Sequence, residues 1–267
     1  MQPARNCFQA NLSLLPLPEG NKSTDIVTIA FNNEKIIPIH VQYIKKYYLD
    51  EHTHIIADNS TNEAVSQRIK TYCLEHGVPY IRIPKNHQIG SYSHATALNW
   101  VCRHIIDSRR PAFFGFTDHD LFPIKPVSLV EILQNQHVYG PIRVRGEGKY
   151  WYISAILCFF DFKYVQNKKL DFLPARYDDD VNNYLDTGGG NWPRLYSTMN
   201  RSEMVFCNER IERIGEGNDY HNDFVELLDD SFLHTINGSE VQYEKEGYHI
   251  SKNSLLQGVI GQFEGKC

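Results

Sequence analysis

Short apolar runs, each closed by asparagine or aspartate, alternate with helix-length segments over the first 120 residues. No other feature restricts the fold of this chain so strongly. The run Asp25-Ile26-Val27-Thr28-Ile29-Ala30-Phe31 stops at Asn32-Asn33. A second run over 53–57 stops at Asp58-Asn59-Ser60-Thr61, a third covers 80–83, and Ala112-Phe113-Phe114-Gly115-Phe116-Thr117 delivers Asp118. Runs this short, apolar on both faces and rich in β-branched or aromatic residues, fit strands buried on both sides. Between them the spacing predicts helices over 36–48, with Pro38 in the tolerant first turn, from Thr61 to Glu75 with a stop at Gly77 and Pro79, and over 94–106. Strands and helices alternating in this way make an α/β fold, a mostly parallel sheet covered on both faces. Ligands of such sheets gather beyond the carboxyl ends of the strands, which is where Asn32-Asn33, Asp58-Asn59 and Asp118 then lie.

The rest of the chain is less regular. A strand is predicted over 153–160, a loop-rich region over 168–191, a helix over 192–200 and a strand over 204–206, with a polar, glycine-containing stretch from Gly247 onward as a tail or lid. The 267 residues fit one domain with insertions. A net charge of −5 and a pI near 6.2 leave no basic footprint for nucleic acid. Six scattered cysteines contain no C-x-x-C pair, so free thiols are expected. The first residues, broken by Pro16 and Pro18, are unlike a signal peptide, and no run reaches the length of a membrane span. A cytoplasmic protein is the expectation, with peripheral membrane contact left open.

Asp118-His119-Asp120 carries the clearest chemistry. Two aspartates one residue apart, where an apolar strand gives way to a turn, can face one hard cation, Mn2+ or Mg2+, and bridge it to diphosphate oxygens. In isolation D-x-D is also a common surface tripeptide; the buried Phe and Gly run before it argues against a surface turn here. Haloacid dehalogenase-like phosphatases share a D-x-D after an apolar strand, but on the first strand of the chain. A noncatalytic glycan-binding protein is the reading from another class. Walker-type and dinucleotide glycine motifs are absent.

Over residues 25–122 the sequence resembles the GT-A glycosyltransferases, in particular the family 2-like inverting enzymes. The resemblance rests on Thr28-Ile29-Ala30-Phe31-Asn32-Asn33, Ile55-Ile56-Ala57-Asp58-Asn59-Ser60, Asn86-His87-Gln88-Ile89-Gly90 with Ala97-Leu98-Asn99, and Asp118-His119-Asp120. It implies a single-domain GT-A fold with a nucleotide-sugar-binding half at 25–124, an acceptor-binding and catalytic half at 125–246, and flanking tails at 1–24 and 247–267. By the same resemblance Asn32, Asn33 and Asp58 contact the nucleoside, Asn86 and Gly90 belong to the donor site, Asp118 approaches the ribose or sugar, and Asp118 and Asp120 hold the metal. His234 corresponds to a C-terminal histidine that completes the metal shell in several such enzymes. The implied partners are a nucleotide-diphospho-sugar donor and a glycan or lipid-linked acceptor.

The base is sought in Tyr184-Leu185-Asp186-Thr187-Gly188-Gly189-Gly190-Asn191-Trp192. Asp186 is the candidate to activate the acceptor hydroxyl, although the family's usual Glu-Asp pair is missing here. The amides of Gly188 and Gly189, at a predicted helix start, are candidates to approach donor oxygens. Trp192 is either an acceptor platform or core. Asp178-Asp179-Asp180 is the competing acidic run and reads as a solvated loop.

Overall fold

The computed structural model of the protein describes residues 23–236 and 250–264. Twelve strands are present among the described residues: β1 Thr24–Ala30, β2 His52–Asp58, β3 Tyr80–Arg82, β4 Phe113–Asp118, β5 Leu121–Pro123, β6 Val138–Tyr139, β7 Ile142–Arg145, β8 Tyr150–Ile153, β9 Leu157–Asp161, β10 Glu209–Arg213, β11 Phe224–Leu228 and β12 Phe232–His234. The longer helices are α1 Ile36–Tyr47, α2 Glu63–Glu75, α3 Gly90–Val101 and, near the end of the chain, α4 Ile250–Phe263. The central sheet runs β3-β2-β1-β4-β9-β6, with β1 to β4 parallel and β9 antiparallel to β4. The protein is thus mixed α/β with a mostly parallel central sheet.

Alternation along the strands divides the core. Val27, Ile29, Ile55 and Ala57 pack with Ala95, Leu98 and Val101 of α3, whereas Ala30 and Ile56 pack with Ile36 and Ile37 of α1 and Val65 and Ile69 of α2. The predicted first-half elements therefore form within a few residues of their expected bounds. Asn62 caps α2 through Oδ1, and Gly77 takes the left-handed conformation just beyond it. α3 starts earlier than the periodicity predicted and runs on as a π-helical turn at Cys102–Ile106.

The later elements depart further. The strand predicted over 153–160 is two strands, β8 and β9, broken at 154–156. Residues 192–200 form isolated 3-10 turns, and 204–206 form no strand. The expected C-terminal tail contains α4, whose Leu256, Val259 and Ile260 are buried against α1, α2 and β11. Apolar residues at three- and four-residue spacing drive this packing; Gly258 and Gly261 disguised the pattern. The remainder of the two expected tails, 1–22, 247–249 and 265–267, lies outside the described residues.

A second, antiparallel sheet of order β10-β11-β12-β5 grows directly from the end of β4, because β5 begins one residue after Asp120. At the opposite end of the central sheet a buried ion pair ties β1 to the segment after α3. Arg109 donates from Nε to Asp25 Oδ2 at 2.6 Å and from Nη2 to Asp25 Oδ1 at 2.8 Å, with a further bond to Thr53 Oγ1 at 3.2 Å. Both side chains are almost fully enclosed. Removing one partner leaves an uncompensated buried charge. Arg109→Ala is therefore expected to lower the unfolding free energy by about 3–5 kcal/mol in a urea titration.

Candidate functional site

The carboxyl ends of β1, β2 and β4 meet at one edge, and their loops are stitched together by side chains. Phe31 N–H donates to His119 Nδ1 at 3.0 Å, joining the end of β1 to the turn after β4. His119 is buried between its two aspartates in sequence. Asn32 sits in the left-handed region at φ 51°, a conformation Asn tolerates better than most residues. Its Oδ1 accepts from Thr61 N and Asn62 N at 2.9 Å each, its Nδ2 donates to Thr61 Oγ1, and its N–H donates to Ser60 Oγ. Asn33 Oδ1 accepts from Lys35 N and Ile36 N at the start of α1. Asn86 Nδ2 donates to Asn59 Oδ1, and Asn59 Nδ2 donates to Ser93 Oγ on α3. Gly90 opens α3 with φ 53° and open space around it.

Asp58 departs from its expected role. Its carboxylate is enclosed and accepts hydrogen bonds from Ser60 N at 2.8 Å, Ser66 Oγ at 2.5 Å and Tyr80 OH at 2.7 Å, with Arg82 Nη1 3.6 Å away. An aspartate with no exposed surface is spent on internal hydrogen bonds, and Asp58 fixes the loop that follows β2. Asn32 likewise hydrogen-bonds the loop at 60–62, and Asn33 Oδ1 the start of α1.

Asp118 and Asp120 each meet a histidine. Asp118 Oδ1 lies 3.1 Å from His94 Nε2 of α3, in contact but without hydrogen-bond alignment. Asp120 Oδ2 lies 3.5 Å from His234 Nε2. The second contact follows from register: β12 pairs with β5 so that His234 stands opposite Leu121, and Thr235 N–H donates to Asp120 O at 3.0 Å. On its other side His234 stands opposite Glu226 of β11, and its Nδ1 is 2.7 Å from Glu226 Oε2. A carboxylate behind a histidine fixes the ring and leaves the other nitrogen to face the site. Burial pulls the His234 imidazole down, but Asp120 and Glu226 outweigh it and push it up to about 10. Burial, followed in importance by the opposing pull of His94 and the push of Asp120, leaves the Asp118 carboxyl above its ordinary value.

These groups are the hard oxygen and imidazole donors that a divalent cation takes. Among the described residues no three His, Cys, Asp or Glu side chains close on one point as a preformed cage. The donor set fits a cation held by one or two carboxylates and completed by substrate phosphate oxygens, as Mg2+ commonly is. Asp118, Asp120 and His234 are the residues that would hold it. In the absence of a cation the excess negative charge of Asp120 and Glu226 is met by a proton on His234.

Beneath the turn lies a buried polar knot. Thr28 and Thr117 are register partners on β1 and β4; His40 Nε2 is 2.7 Å from Thr28 Oγ1 and 3.4 Å from Thr117 Oγ1, and His54 Nε2 is 2.9 Å from Thr28 Oγ1. Burial, reinforced by His119, drives the His40 imidazole down to about 3, so it is neutral. This knot ties α1 to the strand residue immediately before Asp118.

The second-half loop is arranged otherwise than expected. Gly188 N–H donates to Phe172 O, Gly189 N–H to Asp186 O and Gly190 N–H to Leu173 O, each at 2.8 Å, so these amides are already engaged. The glycines permit close backbone packing instead: Gly188 has φ 102° and a Cβ there would sit 2.7 Å from Ile153 O, and one on Gly190 would sit 2.7 Å from Asp171 O. Trp192 packs edge-on against Tyr150 and Trp151 in the core, not on an acceptor surface. Asp178 accepts from Asn183 and Asp180 caps a 3-10 turn, consistent with a structured surface loop.

Asp186 is exposed, its N–H donating to Tyr152 OH at 3.0 Å. Next to it, Thr187 Oγ1 donates to Ser91 O at 3.3 Å in the first turn of α3, one turn ahead of His94. Thr187 and Asp118 thus contact α3 one turn apart, at Ser91 and His94. Asn99 holds this region from below, accepting from Phe172 N and donating to Asp171 Oδ1, both at 2.8 Å. His94, His119 and Glu226 were not singled out as candidates from the sequence. Only cross-strand pairing could have found Glu226.

No family model matches the chain, and no curated protein matches it in sequence. Among solved structures, a mannosyltransferase from Pyrobaculum calidifontis in complex with GDP-Man and Mn2+ is similar with a TM-score of 0.40 and 12% identity, over 61% of this chain and 53% of that one. The bifunctional glycosyltransferase WbbM, in an apo structure, is similar with a TM-score of 0.38 and 12% identity, over 57% of this chain and 34% of that one. The chain spans about half the length of the first and a third of the second.

The His234 geometry sets a pH dependence in metal-free buffer. An imidazole raised from 6.5 to about 10 contributes stability that is fully present below pH 6.5 and lost as pH rises toward 10. Unfolding free energy is expected to fall between pH 7 and 10 with a slope of at most about 1.4 kcal/mol per pH unit from this group. Denaturant titrations of His234→Gln should lack that component.

Proposed function

We propose that the protein is a glycosyltransferase that binds a nucleotide-diphospho-sugar with a divalent cation at Asp118 and Asp120 and passes the sugar to an acceptor hydroxyl facing Asp186. One observation carries this reading: two aspartates on the turn after a central parallel strand, with His234 brought beside the second by a separate sheet. Such a group of oxygen and imidazole donors at the carboxyl edge suits a diphosphate–metal pair. When bound, Mn2+ or Mg2+ neutralises the charge that develops on the departing diphosphate.

The chain's own residues divide the remaining work. Asp118 and Asp120 face the diphosphate end, and Glu226 orients His234. The loops at 31–35, 59–62 and 84–89 form the shelf for the nucleoside, shaped by Asn32, Asn33, Asp58 and Asn86. Asp186 accepts the proton of the acceptor hydroxyl as its oxygen bonds to the sugar carbon and the bond from that carbon to the diphosphate breaks. With Asp186 as a base and no nucleophile forming a covalent intermediate, the acceptor attacks opposite the leaving diphosphate, hence inversion.

Guanosine or uridine diphosphate is expected to stabilise the protein only with Mn2+ or Mg2+. At a hundred times Kd the gain is about 2.7 kcal/mol, a rise of roughly 5–10 °C in Tm. Asp120→Asn should abolish the metal-dependent part; a nucleotide shift that ignores metal would refute the cation assignment. Asp186→Asn should retain the nucleotide-dependent Tm rise and lose transfer by about 100-fold or more. An aspartyl-phosphate on Asp118 would point instead to phosphatase chemistry.

A further inference from the structure

The second sheet ends in an open edge. β10 pairs on one side with β11, in an unbroken register from Glu209 opposite Leu228 to Arg213 opposite Phe224, and forms the last strand of its sheet among the described residues. Asn208 O accepts from Asp229 N–H at 2.9 Å and Ile214 N–H donates to Asp223 O at 2.7 Å, so the even-numbered residues turn their backbone groups toward β11. Alternation then turns the N–H and C=O groups of Glu209, Ile211 and Arg213 outward. The open stretch begins just past Cys207, whose N–H already donates to Gly140 O at 3.2 Å. Such a row is a template for another strand, and proteins commonly blunt it with a proline or a bulge. Neither occurs between 209 and 213.

The edge carries Glu209-Arg210-Ile211-Glu212-Arg213, whose charges are opposite about its centre. A second copy laid antiparallel, Ile211 against Ile211, sets Glu209 opposite Arg213 and Arg210 opposite Glu212 on both sides of a two-fold axis. Neighbouring registers fail. A slip of one residue sets outward backbone groups against inward ones and loses the ladder. A slip of two residues places Arg210 opposite Arg210, or Glu212 opposite Glu212, and like charges directly opposite are destabilising. Parallel pairing in register opposes like charges throughout.

The side chains suit this contact. Ile211 is 54% exposed, and pairing with its own copy covers it. Arg210 touches Glu212 of its own strand and Asp230, so the two-fold joins pairs already alternating in sign. The Arg213 guanidinium meets the carbonyls of Gly215, Glu216 and Gly217 and the Asn218 amide oxygen, but no carboxylate among the described residues. The Glu209 of a second copy would supply one.

We infer that the protein self-associates through β10, two copies pairing antiparallel about Ile211 so that their four-stranded sheets join into one. An isologous contact closes on itself and stops at a dimer. Its small size makes it a transient association, not an obligate one. Ile211 stands opposite Glu226, and Glu226 opposite His234, so the joined sheet carries the His234–Glu226 pairs of both copies on one face. The contact does not depend on the reaction the protein performs.

Sedimentation velocity of the full chain tests it. Over about a hundred-fold rise in concentration, a 31.0 kDa species is expected to give way to one of twice that mass. Glu212→Lys opposes two cations across the axis and Arg210→Glu opposes two carboxylates, so each variant alone should dimerise about tenfold more weakly or worse. An equimolar mixture of the two variants restores an opposite charge at every position and should dimerise as the parent does. A parent that keeps the monomer mass throughout overturns the inference, as does a dimer that both charge variants leave intact. A mixture that stays monomeric, while each variant keeps the parent's Tm, overturns the antiparallel register.

Discussion

The hydrogen bond from Phe31 N–H to His119 Nδ1 fixes where the functional edge of this protein begins. β4 keeps its sheet partners as far as Asp118, which stands opposite Ile29 and whose N–H donates to Ile156 O at 3.0 Å, so the chain turns only after it. With the His119 ring drawn inward to the end of β1, the turn is pinned and Asp118 and Asp120 reach two different histidines, His94 and His234. Thr28, His40, His54 and Thr117 brace the same place from below. Both imidazole Nε2 atoms meet Thr28 Oγ1, and this mutual pairing offsets part of the cost of burying the knot in a core of Ile and Phe.

The second constraint is register. β5 follows the aspartate turn immediately, so any strand that pairs with it is positioned relative to Asp120 to within one residue. β12 supplies His234 and β11 supplies Glu226 behind it. A slip of one residue would turn both side chains to the other face. The same small antiparallel sheet therefore brings His234 and Glu226, more than a hundred positions away in the chain, beside Asp120.

In the loop around Gly188 and Gly190, dense backbone packing takes the part that side-chain hydrogen bonds play at the ends of β1, β2 and β4. Gly188 and Gly190 approach the carbonyls of Ile153 and Asp171 more closely than any side chain allows. That packing leaves Asp186 exposed on the rim of the loop, its N–H held by Tyr152 OH.

By itself the sequence determined the first four strands, the helices between them and the edge at which polar residues collect. Hydrophobic periodicity and turn chemistry are local properties, and a parallel sheet buried on both faces writes them into contiguous segments. It also singled out Asp118, Asp120, Asp186 and His234. It could not tell which polar side chains point inward: Asp58, Asn32 and Asn33 have the composition of a binding edge and the geometry of scaffolding. Three glycines looked like an anion cradle because sequence records their freedom but not the carbonyls that take up their amides. Glu226 and α4 were decided by tertiary structure alone. Each depends on a pairing or packing partner distant in the chain, and a distant partner leaves no local periodicity to read.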